Sequence, residues 1–105
     1  MSTILDIRTK RLDKAQARKL IAQIVRNNPD NIRFSKHALI ELGNDNLTTS
    51  DALNVIKSSH SRILSDGEWE HGSFRYRLET SNIMIVIAFD SPESMVIVTA
   101  WRKNL

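Results

Sequence analysis

Over residues 12 to 57 apolar side chains recur every three or four positions, and over residues 62 to 101 they recur every two. The first period is that of helices with one buried face, the second that of half-buried strands. In the first stretch Ala17, Leu20, Ile21, Ile24 and Val25 form one apolar face, and Arg11, Lys14, Arg18 and Lys19 point elsewhere. Asp13 is a short acceptor just ahead of Lys14-Ala15-Gln16-Ala17 and can cap this helix. Asn27-Asn28-Pro29-Asp30 stops it by turn chemistry. Ile32-Arg33-Phe34 reads as a short strand. Ser35 is then the N-cap of a second helix over 36–42, with Gly43 just past its end. Thr48 and Asp51 have capping-box spacing and open a third helix, which buries Ala52, Leu53, Val55 and Ile56 and ends near Ser58-Ser59.

Beyond that point residues 62–65 form a strand, Asp66-Gly67 a turn, and Glu68-Trp69-Glu70 a candidate return strand. After His71-Gly72-Ser73, Phe74, Tyr76 and Leu78 alternate with Arg75, Arg77 and Glu79, as in a half-exposed antiparallel strand. Residues 83–89 are apolar on both faces, which predicts the central strand. Residues 95–101 form the last strand, and Arg102-Lys103 follows it. Residues 1–11 alternate weakly and read as an arm or an edge strand. Helices gathered ahead of a meander of three to five antiparallel strands predict an α+β layer fold, with helices on one sheet face and the other half solvated.

A chain of 105 residues fits a single domain, 1–105, with a real core. The absence of Cys excludes a disulfide framework, a cysteine nucleophile and thiolate metal sites, and fits a cytoplasmic protein. No apolar run is long enough to span a membrane, and the first residues lack the apolar core of a signal peptide. Charge is uneven. Residues 1–36 hold nine Lys/Arg and three acids (net +6), residues 37–74 two and six (net −4), and residues 75–105 four and three (net +1). A basic end of this kind suits an anionic partner.

No Gly-rich phosphate loop, nucleophile elbow or His-Glu-x-x-His is present, and His37, His60 and His71 have no metal-ligand spacing. Neither a metal nor a cofactor is expected. His37 falls in the first turn of the second helix and is a candidate general base. Glu41, four residues on, can reach the other ring nitrogen. The same position equally suits a His bonded to a backbone carbonyl. Arg75 and Arg77 share a strand face about 7 Å apart, a spacing that suits neighbouring phosphates or one phosphorane; a solvated face with Glu79 as ion-pair partner is the alternative. Thr99 and Trp101 share a face, with Arg102 and Lys103 at the strand end. A Trp beside cations is a base-stacking and phosphate-binding combination, and equally an ordinary core Trp with a basic terminus. Trp69, flanked by acids, suits packing or a partner contact better than nucleic acid.

Together, Phe34-Ser35-Lys36-His37-Ala38, the helix opened by Thr48, Tyr76-Arg77, and Val96-Ile97-Val98-Thr99-Ala100-Trp101-Arg102 resemble a family of small bacterial domains of unknown function. That family has the pattern F-S-x-H-A, Y-R, V-x-V-T-x-W and resembles the RelE/barnase-like ribonuclease toxins. The basic first helix and Tyr76-Arg77-Leu78 are also similar to MqsR-type toxins. The resemblance runs over residues 12–103. It implies the toxin of a toxin–antitoxin pair, cleaving mRNA, on or off the ribosome, without metal or cofactor, and held by a cognate antitoxin. It also implies catalytic roles for His37, Arg75, Tyr76, Arg77 and Thr99, and substrate binding by Trp101, Arg102 and Lys103. The family often has Arg where Glu41 stands, and MqsR-type toxins carry a Tyr in the strand that is residues 83–89 here. The alternatives are a non-enzymatic RNA- or protein-binding module of the same fold and an inactive relative.

Overall fold

A computed structural model describes residues 7–103. Residues 1–6, the start of the expected arm, lie outside the described residues. The elements are α1 (Lys14–Asn27), a single 3-10 turn (Pro29–Asn31), β1 (Ile32–Phe34), α2 (Lys36–Asn44), α3 (Thr49–Lys57), β2 (Arg62–Ile63), β3 (Glu68–Glu70), β4 (Ser73–Glu79), β5 (Ile83–Ser91) and β6 (Ser94–Arg102). The fold is α+β. Each helix starts on a residue whose side chain satisfies backbone N–H groups that the helix itself leaves free. Asp13 accepts the Gln16 N–H, and Gln16 returns a bond to the Asp13 backbone. Ser35 accepts the Ala38 N–H at 3.0 Å. Thr48 and Asp51 form a reciprocal capping box, and the Thr48 N–H, then its hydroxyl, hold the Asp51 carboxyl below its usual range. Gly43 does not end α2. The helix runs on to Asn44, and Asn46, at φ 56°, makes the left-handed step while the Leu47 N–H closes on the Leu42 carbonyl at 2.8 Å.

The six strands run in the order β1-β6-β5-β4-β2, with β3 paired to β4 beside β2. β5 is central, as its two apolar faces require. All pairings are antiparallel except that of β1, which lies parallel to β6. One face carries Tyr76, Leu78, Ile85, Ile87, Phe89, Met95, Ile97 and Ala100, packed against Ala17, Ile21 and Ile24 of α1, Ala38 and Leu42 of α2, and Ala52, Val55 and Ile56 of α3. All three helices therefore cover this face. Among the described residues the opposite face carries no helix.

An irregularity in β6 sets what that open face displays. Met95 and Ile97 point into the core, so strict alternation would bury Thr99 and Trp101 as well. The β5–β6 register shifts between Val86 and Ile87: Ile87 pairs with Ile97, but Val86 pairs with Thr99. Val98 is thus an extra, bulged residue. Ala100 turns inward, fully buried, and Thr99 and Trp101 turn to the helix-free side.

Residues 7–12 cross the outer end of β4 as a strap. The Phe74 N–H bonds the Arg8 carbonyl, the Gly67 N–H bonds the Leu12 carbonyl, and the Leu12 N–H bonds the Tyr76 hydroxyl, each at 3.0 Å. Arg11 Nε donates to the Gly67 carbonyl at 2.8 Å. Gly67 is required here by close approach, because a Cβ would stand 2.8 Å from the Tyr76 hydroxyl oxygen.

Candidate functional site

Pairing registers lay out the helix-free face in three transverse rows. The first is Arg62, Glu79, Met84 and Trp101; the second is Arg77, Val86 and Thr99; the third is Ala88, Val96 and Arg33. Arg75 joins them by alternation with Arg77. Val86 and Ala88 are only 4% and 5% exposed although no helix among the described residues covers them. Arg77 and Thr99 lie two strands apart, about 10 Å between backbones. An arginine side chain spans much of that distance.

The cations on this face differ in how they are held. Arg77 Nε lies 3.4 Å from Glu68 Oε1, which also accepts the Ser65 hydroxyl at 3.2 Å. Glu68, opposite Arg75 on β3, is thus the acid of this pair, whereas the sequence pattern points to Glu79. Arg75 donates its Nε to the Ser73 hydroxyl at 3.0 Å and has no ion pair among the described residues. Arg33 pairs with Asp90 at the far edge.

Glu79 is instead the centre of a separate cluster. It accepts from Arg62, and from Lys103 Nζ at 3.0 Å. The Lys103 ammonium, then the Arg62 guanidinium, hold its carboxyl below the usual carboxylate range despite its burial. A depressed folded-state value stabilises the fold above the unfolded value and is lost as pH falls through the folded one. Stability should therefore decline below about pH 4.5, and Glu79→Gln should flatten that decline in an acid series of denaturant melts.

His37 is exposed in the first turn of α2. Two bonds fix where that turn sits. The Ser35 hydroxyl, which caps the helix, also donates to the carbonyl of the bulged Val98 at 2.7 Å. At the other end, the Asp45 carboxylate accepts the Arg102 N–H at 2.8 Å. So α2 lies along the edge of β6 where β1 has ended. Positions 37, 41 and 45 follow at helical spacing, which puts His37 and Glu41 on the flank that ends in Asp45. His37 is therefore an exposed residue of a helix that lies along the β6 edge of the sheet. Among the described residues its ring makes no hydrogen bond or ion pair, and Glu41 does not hold it.

Two expected site residues, Tyr76 and Arg102, are placed elsewhere, and a third, Lys103, is tied to Glu79 at the end of the open face. Tyr76 is 1% exposed on the helix-covered face, its ring 5.3 Å from that of Phe89 and its hydroxyl bonded to the Leu12 N–H. It cannot stack a base. Its neighbours on β4 face the other way because the period is two, and burial pushes its phenol above the usual value. Arg102 turns to the side opposite Trp101 and donates to the Asp45 carbonyl at 3.3 Å. Lys103 is held by Glu79 and by the Thr80 carbonyl at 3.1 Å. Trp69 is 57% exposed and meets Phe74 edge-on at 5.1 Å, a surface packing contact.

The linking roles of Ser35 and Val98 are not visible in the sequence. The signal for the bulge is the phase change from Met95 and Ile97 to Ala100. Among the described residues no three His, Asp or Glu side chains come together as a metal site, and no helix is long and apolar enough to cross a membrane. Compared with family models, curated proteins and solved structures, the chain matches none.

Proposed function

We propose that the helix-free face binds single-stranded RNA and that the protein is a metal-independent endoribonuclease, acting as the toxin of a toxin–antitoxin pair. The observation that carries this reading is that Arg77 of β4 and Thr99 and Trp101 of β6 share one sheet face that no helix covers among the described residues, with Arg75 beside them by alternation and an exposed imidazole on the helix along the β6 edge. The substrate supplies its own nucleophile. The 2′-oxygen forms a bond to the adjacent phosphorus and the bond to the 5′-oxygen breaks, leaving a 2′,3′-cyclic phosphate and a 5′-hydroxyl. His37 takes the proton from the 2′-hydroxyl or gives one to the departing oxygen. Arg75 and Arg77 offset the charge that builds on the phosphorane; fixed charges aimed at a developing anion are commonly the main source of rate enhancement. The Thr99 hydroxyl donates to a phosphate oxygen, and Trp101 stacks a base.

The test is incubation of the purified chain with end-labelled single-stranded RNA in a chelator. New 5′-hydroxyl and cyclic-phosphate ends support the reading. A second reading, a module that binds RNA without cutting it, is favoured by one observation: Arg77 already has an acid beside it in Glu68. It predicts salt-dependent retention of intact RNA with no new ends.

A further inference from the structure

Away from that face, α1 and the end of α3 enclose a groove of about 330 Å³, lined by Arg18, Ile21, Ala22, Val25 and Arg26 of α1 and by Ile56, Lys57, Ser58 and Ser59. Its α1 wall is one continuous stripe at spacings of three and four, about 12 Å long. The floor is aliphatic: Ile21, Val25 and Ile56. The rim holds three cations and no acid. Arg18 is committed to Ser61, donating to its hydroxyl at 3.3 Å and to its carbonyl. Arg26 and Lys57, in the last turns of α1 and α3, have no ion pair among the described residues.

We infer that this groove docks an acidic amphipathic helix of a partner protein. Apolar residues of the partner at i, i+3, i+4 and i+7 would lie over Ala22 and Val25, above the nearly buried Ile21 and Ile56, and flanking carboxylates would meet Arg26 and Lys57. That is the helix-in-groove mode of recognition, in which an apolar stripe seats the ligand and rim charges set its register. RNA fits the same cations less well, because no aromatic ring lines the groove to stack a base. The inference is independent of the nuclease reading, since no lining residue belongs to the open sheet face.

The test uses the full chain and two fluorescein-labelled 14-residue helical peptides with the same Leu/Ile stripe, one with Glu and one with Lys on both flanks. Fluorescence anisotropy should show the Glu peptide binding at least tenfold more tightly than the Lys peptide, and more weakly as salt rises. The double variant Arg26→Glu/Lys57→Glu, both positions exposed, should reverse that preference while keeping the wild-type circular dichroism spectrum. Equal affinity for the two peptides, binding of neither, or unchanged binding by the folded double variant overturns the proposal. So does displacement of the Glu peptide by single-stranded RNA, or concentration-dependent self-association that the double variant abolishes, which would give the groove to a second copy.

Discussion

His37→Ala should lower RNA cleavage by a hundredfold or more, about 2.7 kcal/mol of transition-state stabilisation. The side chain is exposed and makes no hydrogen bond among the described residues, so its removal should leave the fold intact and the loss can be read as chemistry. RNA retention at low salt should be unchanged, because the arginines and Trp101 remain. His37→Gln should fail as His37→Ala does, since an amide does not exchange a proton near neutral pH. Measured on labelled RNA with matched melting curves, full activity in either variant would remove the imidazole from the mechanism and leave the binding module as the reading of this face.

A second large effect is expected on stability, at Tyr76. Tyr76→Ala empties a fully buried position beside Phe89 and should cost about 3–5 kcal/mol. Tyr76→Phe keeps the ring but leaves the Leu12 N–H without its acceptor, for about 1–3 kcal/mol. On a domain of this size each kcal/mol lowers Tm by roughly 4–8 °C. The Phe variant is the informative one. If Tyr76 acts only through the core and the strap, Tyr76→Phe melts earlier yet cleaves RNA at the wild-type rate per folded molecule. A wild-type Tm with reduced cleavage would place the phenol in the reaction after all.

Elements specified by near neighbours are readable in the sequence, and those specified by distant ones are not. The three helix starts depend on a cap residue and the N–H groups two or three positions on, so Asp13, Ser35 and Thr48 are enough. The end of α2 depends on burying Leu47, which draws the chain past Gly43 to Asn46. The parallel pairing of β1 joins Ile32 to Met95 and has no local signature. At the site, alternation puts Arg75 and Arg77 on one face of β4, and the strand registers put Thr99 and Trp101 on the same side as Arg77. The same alternation sends Tyr76 to the opposite face, a consequence available from the pattern itself. That Glu68 and not Glu79 meets Arg77, and that Lys103 is bound to Glu79, follow from how β2, β3 and the chain end fold back onto β4.

The borders of the sheet are short. β1 has three residues, β2 two and β3 three; α2 occupies the remainder of the β6 edge, with the Ser35 hydroxyl and the Asp45 carboxylate bonded to its backbone. The long, strongly apolar β5 is flanked on both sides. A neighbouring molecule thus finds almost no unpaired ladder to template against, which is what keeps a β-rich chain from polymerising edge to edge. Concentrated samples should stay free of fibrils while β1 and α2 remain docked, and loss of that docking would expose the nine-residue edge of β6.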